Sequence, residues 1–105
     1  MFALMGENGN NVVIYDSNSF VLKHQIQANA ILTQFMFANG NRDLLCVTKD
    51  SRIRFFSLAK YEGVFLRELS TVHRGLIQSI NVSSNSGYFL TGGDDNMIKV
   101  WDYEA

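Results

Sequence analysis

The chain has no proline, one cysteine, one tryptophan and almost no net charge, and each shortage removes a class of protein. Cys46 has no second thiol to pair with, so no internal disulfide holds the fold, and an intracellular, reducing compartment is expected. A formal charge of −1 sets up no long-range field for a phosphate backbone, and the nine basic residues are scattered from Lys23 to Lys99 instead of forming a stripe. Nucleic acid is therefore not the expected partner. No run of about 18 or more apolar residues exists to cross a bilayer, and no charged-then-apolar leader opens the chain, so no membrane is expected either. The lack of proline matters little for turns, because eight glycines and the clusters GENGN, NGN, NSG and GGDDN supply them.

What is present is apolar and regularly spaced. Of the 105 residues 47% are hydrophobic and 12% aromatic, a core-forming composition at the size of a single domain. One short phrase occurs three times: VVIYD at 12–16, IRFFS at 53–57 and IKVWD at 98–102, each alternating apolar residues and running to an aromatic. Setting Phe56 under Trp101 gives an offset of 45 residues without a gap, which puts Asp50 on Asp95, Ile53 on Ile98 and Leu45 on Leu90. Setting Tyr15 under Phe56 gives an offset of 41, with Leu4 on Leu45 and Gly9 on Asp50. A period of about 40 to 45 residues is that of a four-stranded propeller blade.

Within that period the strand signals are short apolar or β-branched runs closed by turn residues. They predict strands over 2–5, 12–15, 20–26, 31–38, 44–48, 53–58, 64–69, 76–83, 88–91 and 97–101, and no helix. The expected fold is all-β: one complete four-stranded blade over 28–71, flanked by incomplete blades over 1–27 and 72–105. Apolar residues on both strand faces suit sheets covered on two sides. An eight-stranded sandwich or barrel uses similar strands, but the ungapped repeat favours the propeller.

The last repeat, VHRGLIQSINVSSNSGYFLTGGDDNMIKVWD, resembles the WD-repeat family, with a histidine before the first strand, a small polar residue and glycine ending the second, an aspartate in the next turn and a closing Trp-Asp. The resemblance implies a buried hydrogen-bond chain through Trp101, Thr91, His73 and Asp95. An indole donates, a hydroxyl donates and accepts, a neutral imidazole does one at each nitrogen and a carboxylate accepts, so these four types satisfy each other in a row. The middle repeat keeps Asp50 but has Ala28, Cys46 and Phe56 elsewhere, and the first has Met5, Gly9 and Tyr15, so both rely on packing. The final repeat also resembles WD-repeat scaffolds of centrioles and cilia.

Other chemistry explains the residues less well. His73, Asp95 and Thr91 are the types of a nucleophilic triad, but a triad needs neither the tryptophan nor the repeat frame. Asp94 and Asp95 are neighbours in a turn with no His or Cys to complete a metal site. Gly6 and Gly9 lack the Lys-Ser/Thr of a phosphate loop. Lys49, Arg52 and Arg54 are too few for a nucleic-acid surface. Asn81-Val82-Ser83 matches a glycosylation acceptor only by chance, and Cys46 reads as an inert buried thiol.

By the same resemblance, function lies on the loops of one rim, whose residues here are Glu7, Asn8, Asn29, Thr48, Lys49, Arg74, Leu76 and Asp94. The expected activity is a non-catalytic scaffold binding protein or peptide partners, with no cofactor and no metal. The alternative is an accessory propeller in an enzyme or a nucleic-acid-processing complex. A closed propeller has about four to eight blades, so a fragment or short form is expected, with open sheet edges completed by another chain.

Overall fold

The computed structural model describes residues 2–6, 9–70, 73–83 and 87–103. They form ten strands and no helix: β1 Phe2–Met5, β2 Asn11–Tyr15, β3 Leu22–Gln27, β4 Leu32–Ala38, β5 Asp43–Thr48, β6 Ile53–Ser57, β7 Val64–Leu69, β8 Ile77–Val82, β9 Tyr88–Gly93 and β10 Ile98–Asp102. Every pairing is antiparallel between chain neighbours, giving sheets β1-β2-β3, β4-β5-β6-β7 and β8-β9-β10. The result is one complete four-stranded blade between two of three strands.

Within the middle sheet, β5 is buried on both faces. All six residues of β5 are buried, and because side chains alternate along a strand, Leu44 and Cys46 face one way while Leu45 and Val47 face the other. Leu44 and Cys46 join Phe56, Val12, Ile14, Ile26 and Leu32 in a core against the first sheet. Leu45 and Val47 join Ile53, Phe55, Ile77, Phe89 and Tyr103 in a core against the third. Phe55 anchors the second core with edge contacts to Phe89 at 5.8 Å and Tyr103 at 5.7 Å. Such rings contribute beyond the area they bury.

The offset of 45 residues visible in the sequence recurs in the backbone. Lys49 N–H donates to Ile31 C=O at 2.8 Å, and its repeat counterpart Asp94 N–H donates to Leu76 C=O at 3.0 Å. Thr48 N–H to Arg52 C=O is matched by Gly93 N–H to Met97 C=O, and Leu58 N–H to Arg42 C=O by Tyr103 N–H to Gly87 C=O. The turn residues Ser51 and Asn96 share a left-handed conformation, with φ of 66° and 62°. Even the irregularity at the start of the first strand repeats, between Leu32 and Gln34 and between Ile77 and Ser79.

Strand bounds differ from the sequence prediction chiefly before β3. Phe20 and Val21 lie in a turn, where Asp16 Oδ1 accepts the N–H groups of Asn18 and Ser19 and Asp16 C=O accepts Phe20 N–H at 3.0 Å. Phe20 leaves that turn at φ 58°, so β3 starts at Leu22.

One bond across sheets is invisible in the sequence. Tyr103 Oη donates to Asp43 Oδ2 at 2.8 Å, both residues being buried, and ties the segment after β10 to the start of β5. Tyr103→Phe keeps the ring and leaves the buried carboxyl only the longer bond from Asn39 Nδ2–H at 3.4 Å, so thermal unfolding followed by circular dichroism should show a loss of about 1–3 kcal/mol. An unchanged midpoint would mean that water replaces the phenol.

Candidate functional site

The loop entering β8 is fixed by a polar relay. Trp101 Nε1–H donates to Thr91 Oγ1 at 3.0 Å, Thr91 Oγ1–H donates to His73 Nε2 at 2.8 Å, and His73 Nδ1–H donates to Asp95 at 2.9 and 3.1 Å. The direction follows from chemistry: the indole only donates, so the hydroxyl accepts from it and gives its own proton to the imidazole, leaving Nδ1–H for the carboxylate. Register makes this possible, because Lys99 lies opposite Thr91 and Trp101 opposite Phe89, which puts indole and hydroxyl on the face turned toward the middle sheet. Trp101 also stacks on Phe89 with centroids 6.2 Å apart. The histidine side chain is wholly buried.

Gly93 makes room for the ring. A Cβ there would stand 2.5 Å from His73 Cγ, so any side chain would push the imidazole off its partners. Asp95 then closes the turn, accepting Arg74 N–H at 3.2 Å and Met97 N–H at 3.1 Å. Desolvation pushes its carboxyl upward, but the bonds from Arg74, His73 and Met97 together outweigh it and hold the group below its ordinary 3.8. The relay thus welds the entry loop of the third sheet to its β9–β10 turn.

The middle sheet solves the same problem differently. Thr48 Oγ1–H donates to Asp50 Oδ1 while accepting Arg52 N–H at 3.0 Å, and the Thr48 side chain is buried. Ser51 Oγ–H donates to Gly75 C=O and so joins this turn to the entry loop of the third sheet. Hydrogen bonding to Thr48, opposed by partial desolvation and helped by the Arg52 charge, lowers the Asp50 carboxyl. Cys46, at the repeat position of Thr91, is enclosed by apolar neighbours. Burial pushes its thiol up to about 12 against the pull of Arg54, and it donates nothing to a relay.

Of the rim residues predicted from sequence, Arg74 and Asp94 come together in a cleft of about 540 Å³ with Gly75, Asp95, Met97 and Lys99. Gln78 Nε2–H donates to Asp94 Oδ1, so the two adjacent aspartates turn to different partners, and no metal-binding cluster forms among the described residues. Lys49 is exposed in the neighbouring β5–β6 turn and Leu76 is 41% exposed beside Asp94. Thr48 faces inward and offers a partner little surface. Asn29 lines a different cleft, between the first two sheets. Glu7 and Asn8 lie outside the described residues. Sequence reading missed Glu68, which stands opposite Arg54 in register and pairs with it at 3.0 Å and with Arg52 at 3.3 Å. That carboxylate explains the local basic cluster as part of a cross-strand network.

Sheets stacked on both faces of a central blade, together with a Trp-Thr-His-Asp relay, define a partial WD-repeat β-propeller. Residues 63–102 match the family model "WD domain, G-beta repeat". Over 91 residues the chain is 26% identical to cilia- and flagella-associated protein 52 of Mus musculus, covering 87% of this chain and 14% of that protein. Over 102 residues it is 26% identical to WD repeat-containing protein 3 of Homo sapiens, covering 97% of this chain and 10% of that protein. The chain therefore spans a small part of the length of these relatives. Among solved structures, a chain of a mitotic checkpoint complex superimposes with a TM-score of 0.76 at 10% identity, over 89% of this chain and 30% of its own length. A functionally unknown protein from Desulfotomaculum acetoxidans DSM 771 gives 0.76 at 4% identity, over 97% and 33%.

Two measurements check the relay. Thr91→Val keeps the shape but orphans both the indole N–H and the imidazole, so denaturant unfolding should show a loss of about 1–3 kcal/mol. Adding Trp101→Phe to that variant should cost less than Trp101→Phe alone, because the partner is already gone. For Asp95 the folded value is depressed, so its contribution is complete above the unfolded carboxyl value and lost as pH falls through the folded one. The stability gap between the native chain and Asp95→Asn should accordingly be constant from neutral pH down to about 4 and shrink below it. A gap that already closes near pH 6 would assign the effect to another group.

Proposed function

We propose that this chain is a non-catalytic module that binds protein or peptide partners through the rim formed by the β9–β10 and β5–β6 turns and the loops entering β4 and β8. The observation that carries this reading is the Arg74–Asp94–Asp95–Met97–Lys99 cleft, where two cations, two carboxylates and an apolar side chain meet on turns made rigid by the relay. Rigid turns carrying mixed charge suit a modest interface, because little order has to be imposed on binding. His73 and Thr91 are bonded on both sides inside the sheet stack, which argues against a hydrolytic role. Similarity to cilia- and flagella-associated protein 52 supports a place in a ciliary or other cytoskeletal assembly.

We further propose blade divisions at 1–27, 28–71 and 72–105, with the open sheet faces covered by further blades of the same kind, from a longer propeller or another chain. On the third sheet Tyr88, Leu90, Ile98 and Val100 share one face by register, and Ile98 and Val100 are 79% and 68% exposed. Their repeat counterparts in the middle sheet, Leu45, Ile53 and Phe55, are buried against the next sheet.

The test is a pull-down with Arg74→Glu and Lys49→Glu in one chain. The expected outcome is loss of the captured partner with an unchanged circular dichroism spectrum and no substrate turnover by either form. Hydrolysis by the native chain that vanished in a folded His73→Ala variant would instead make the relay catalytic.

A further inference from the structure

Away from the rim, a cleft of about 670 Å³ opens between the first two sheets. One wall is the outer edge of β3, the side away from β2. In an antiparallel strand the main-chain groups of successive residues point alternately toward and away from the partner. Ala28 N–H donates back to Asn10 C=O at 3.0 Å, whereas Gln25 N–H is turned outward and donates to Tyr61 C=O at 3.0 Å, in the β6–β7 turn. Two residues further along, the alternation turns the N–H and C=O of Gln27 to the same outward side, where nothing among the described residues pairs with them. Gln25 and Gln27 are the β3 residues that line the cleft.

The opposite wall is aromatic. Phe56 and Phe65 meet edge to face with centroids 5.7 Å apart, and the Arg54 guanidinium lies 5.7 Å from the Phe65 ring while its Nε is 3.0 Å from Glu68. Arg54 is thereby neutralised, and Glu62 in the lining has no cation within ion-pair distance among the described residues. Gly63 keeps the turn close over β3: at φ 75° a Cβ there would meet Ile26 Cδ1 at 2.5 Å.

We propose that this cleft receives an extended segment of a partner protein, whose main chain exchanges bonds with the outward N–H and C=O of Gln27 at the end of β3. An N–H and a C=O turned outward on one residue, Gln27, are matched by a residue of another backbone in extended form, which identifies the ligand as a peptide. The Phe56–Phe65 wall takes an apolar side chain, and the unpaired Glu62 carboxylate selects a basic one. The bound segment continues an interface the molecule already has, since the edge is bonded to main chain at Tyr61 and Ile26 and Phe56 belong to the core joining the two sheets. An open edge is ordinarily an aggregation hazard; here the β6–β7 turn covers it at Gln25. This site is separate from the rim and does not depend on the reading of it.

The probe is a set of six capped, fluorescent hexapeptides of alternating leucine and threonine, with one lysine moved through each position, titrated against the full chain by fluorescence anisotropy. Saturable binding is expected for at least one peptide, weakened tenfold or more when its alternate amides are N-methylated. Gln27→Pro deletes the outward N–H at an edge position where proline leaves the β2–β3 ladder intact, and it should weaken binding by a similar factor. Phe65→Ala, on the outer strand, gives the same readout should the proline disturb the fold. Glu62→Gln should weaken binding about threefold, and Arg74→Glu should leave it unchanged. Failure of every peptide to bind at millimolar concentration would overturn the proposal. So would binding indifferent to both Gln27→Pro and Phe65→Ala, or binding abolished by Arg74→Glu, which belongs to the rim.

Discussion

A strand whose residues are all buried has to be covered from both sides, and Asp43–Thr48 imposes that condition on the rest of the chain. Its alternation sends Leu44 and Cys46 into one core and Leu45 and Val47 into the other, so the sheets before and after it are held by opposite faces of the same six residues. Neither core is a closed unit. Each is a layer between two sheets, and the sheet in the middle contributes to both, which is how repeat folds derive stability from neighbours instead of from a single interior.

Packing of this kind fixes the distance between sheets but leaves their loops to be fixed by polar groups. The third sheet uses a directional relay in which each of four side chains has one bonding role left for the next. The middle sheet has lost three of the four and substitutes a hydroxyl from the end of β5, Thr48, which braces Asp50 and Arg52, with Ser51 reaching to the following loop. Both devices immobilise the same kind of turn. The relay is the more demanding one, because a buried imidazole and an indole N–H both depend on a single hydroxyl.

How much of this was legible follows from what repeats. The 45-residue offset could be read because a buried sheet demands the same apolar positions each time, and it returns in the paired backbone bonds of Lys49 and Asp94. The residue types of the relay were readable because donor and acceptor capacities are chemical facts independent of coordinates. What could not be read depends on how one sheet sits on the next. The Tyr103–Asp43 bond joins residues 60 apart whose approach is set by inter-sheet packing. Arg54 meets Glu68 only because β6 and β7 pair in a register shifted between Phe55 and Phe56. Thr48 was assigned to the rim by its place in the turn, and its inward orientation is a matter of which face the last residue of β5 presents. The left-handed Phe20 defied its β-forming character because the preceding Asp16 turn decides its backbone.

The match between the exposed face of the third sheet and the buried face of the second has a geometric meaning. Leu45, Ile53 and Phe55 pack against the sheet that follows, and Leu90, Ile98 and Val100 stand at the same places one period later. A growing array assembled by such contacts carries no terminator in its side chains. Whether it winds into a ring, and after how many members, is decided by the accumulated rotation from one member to the next.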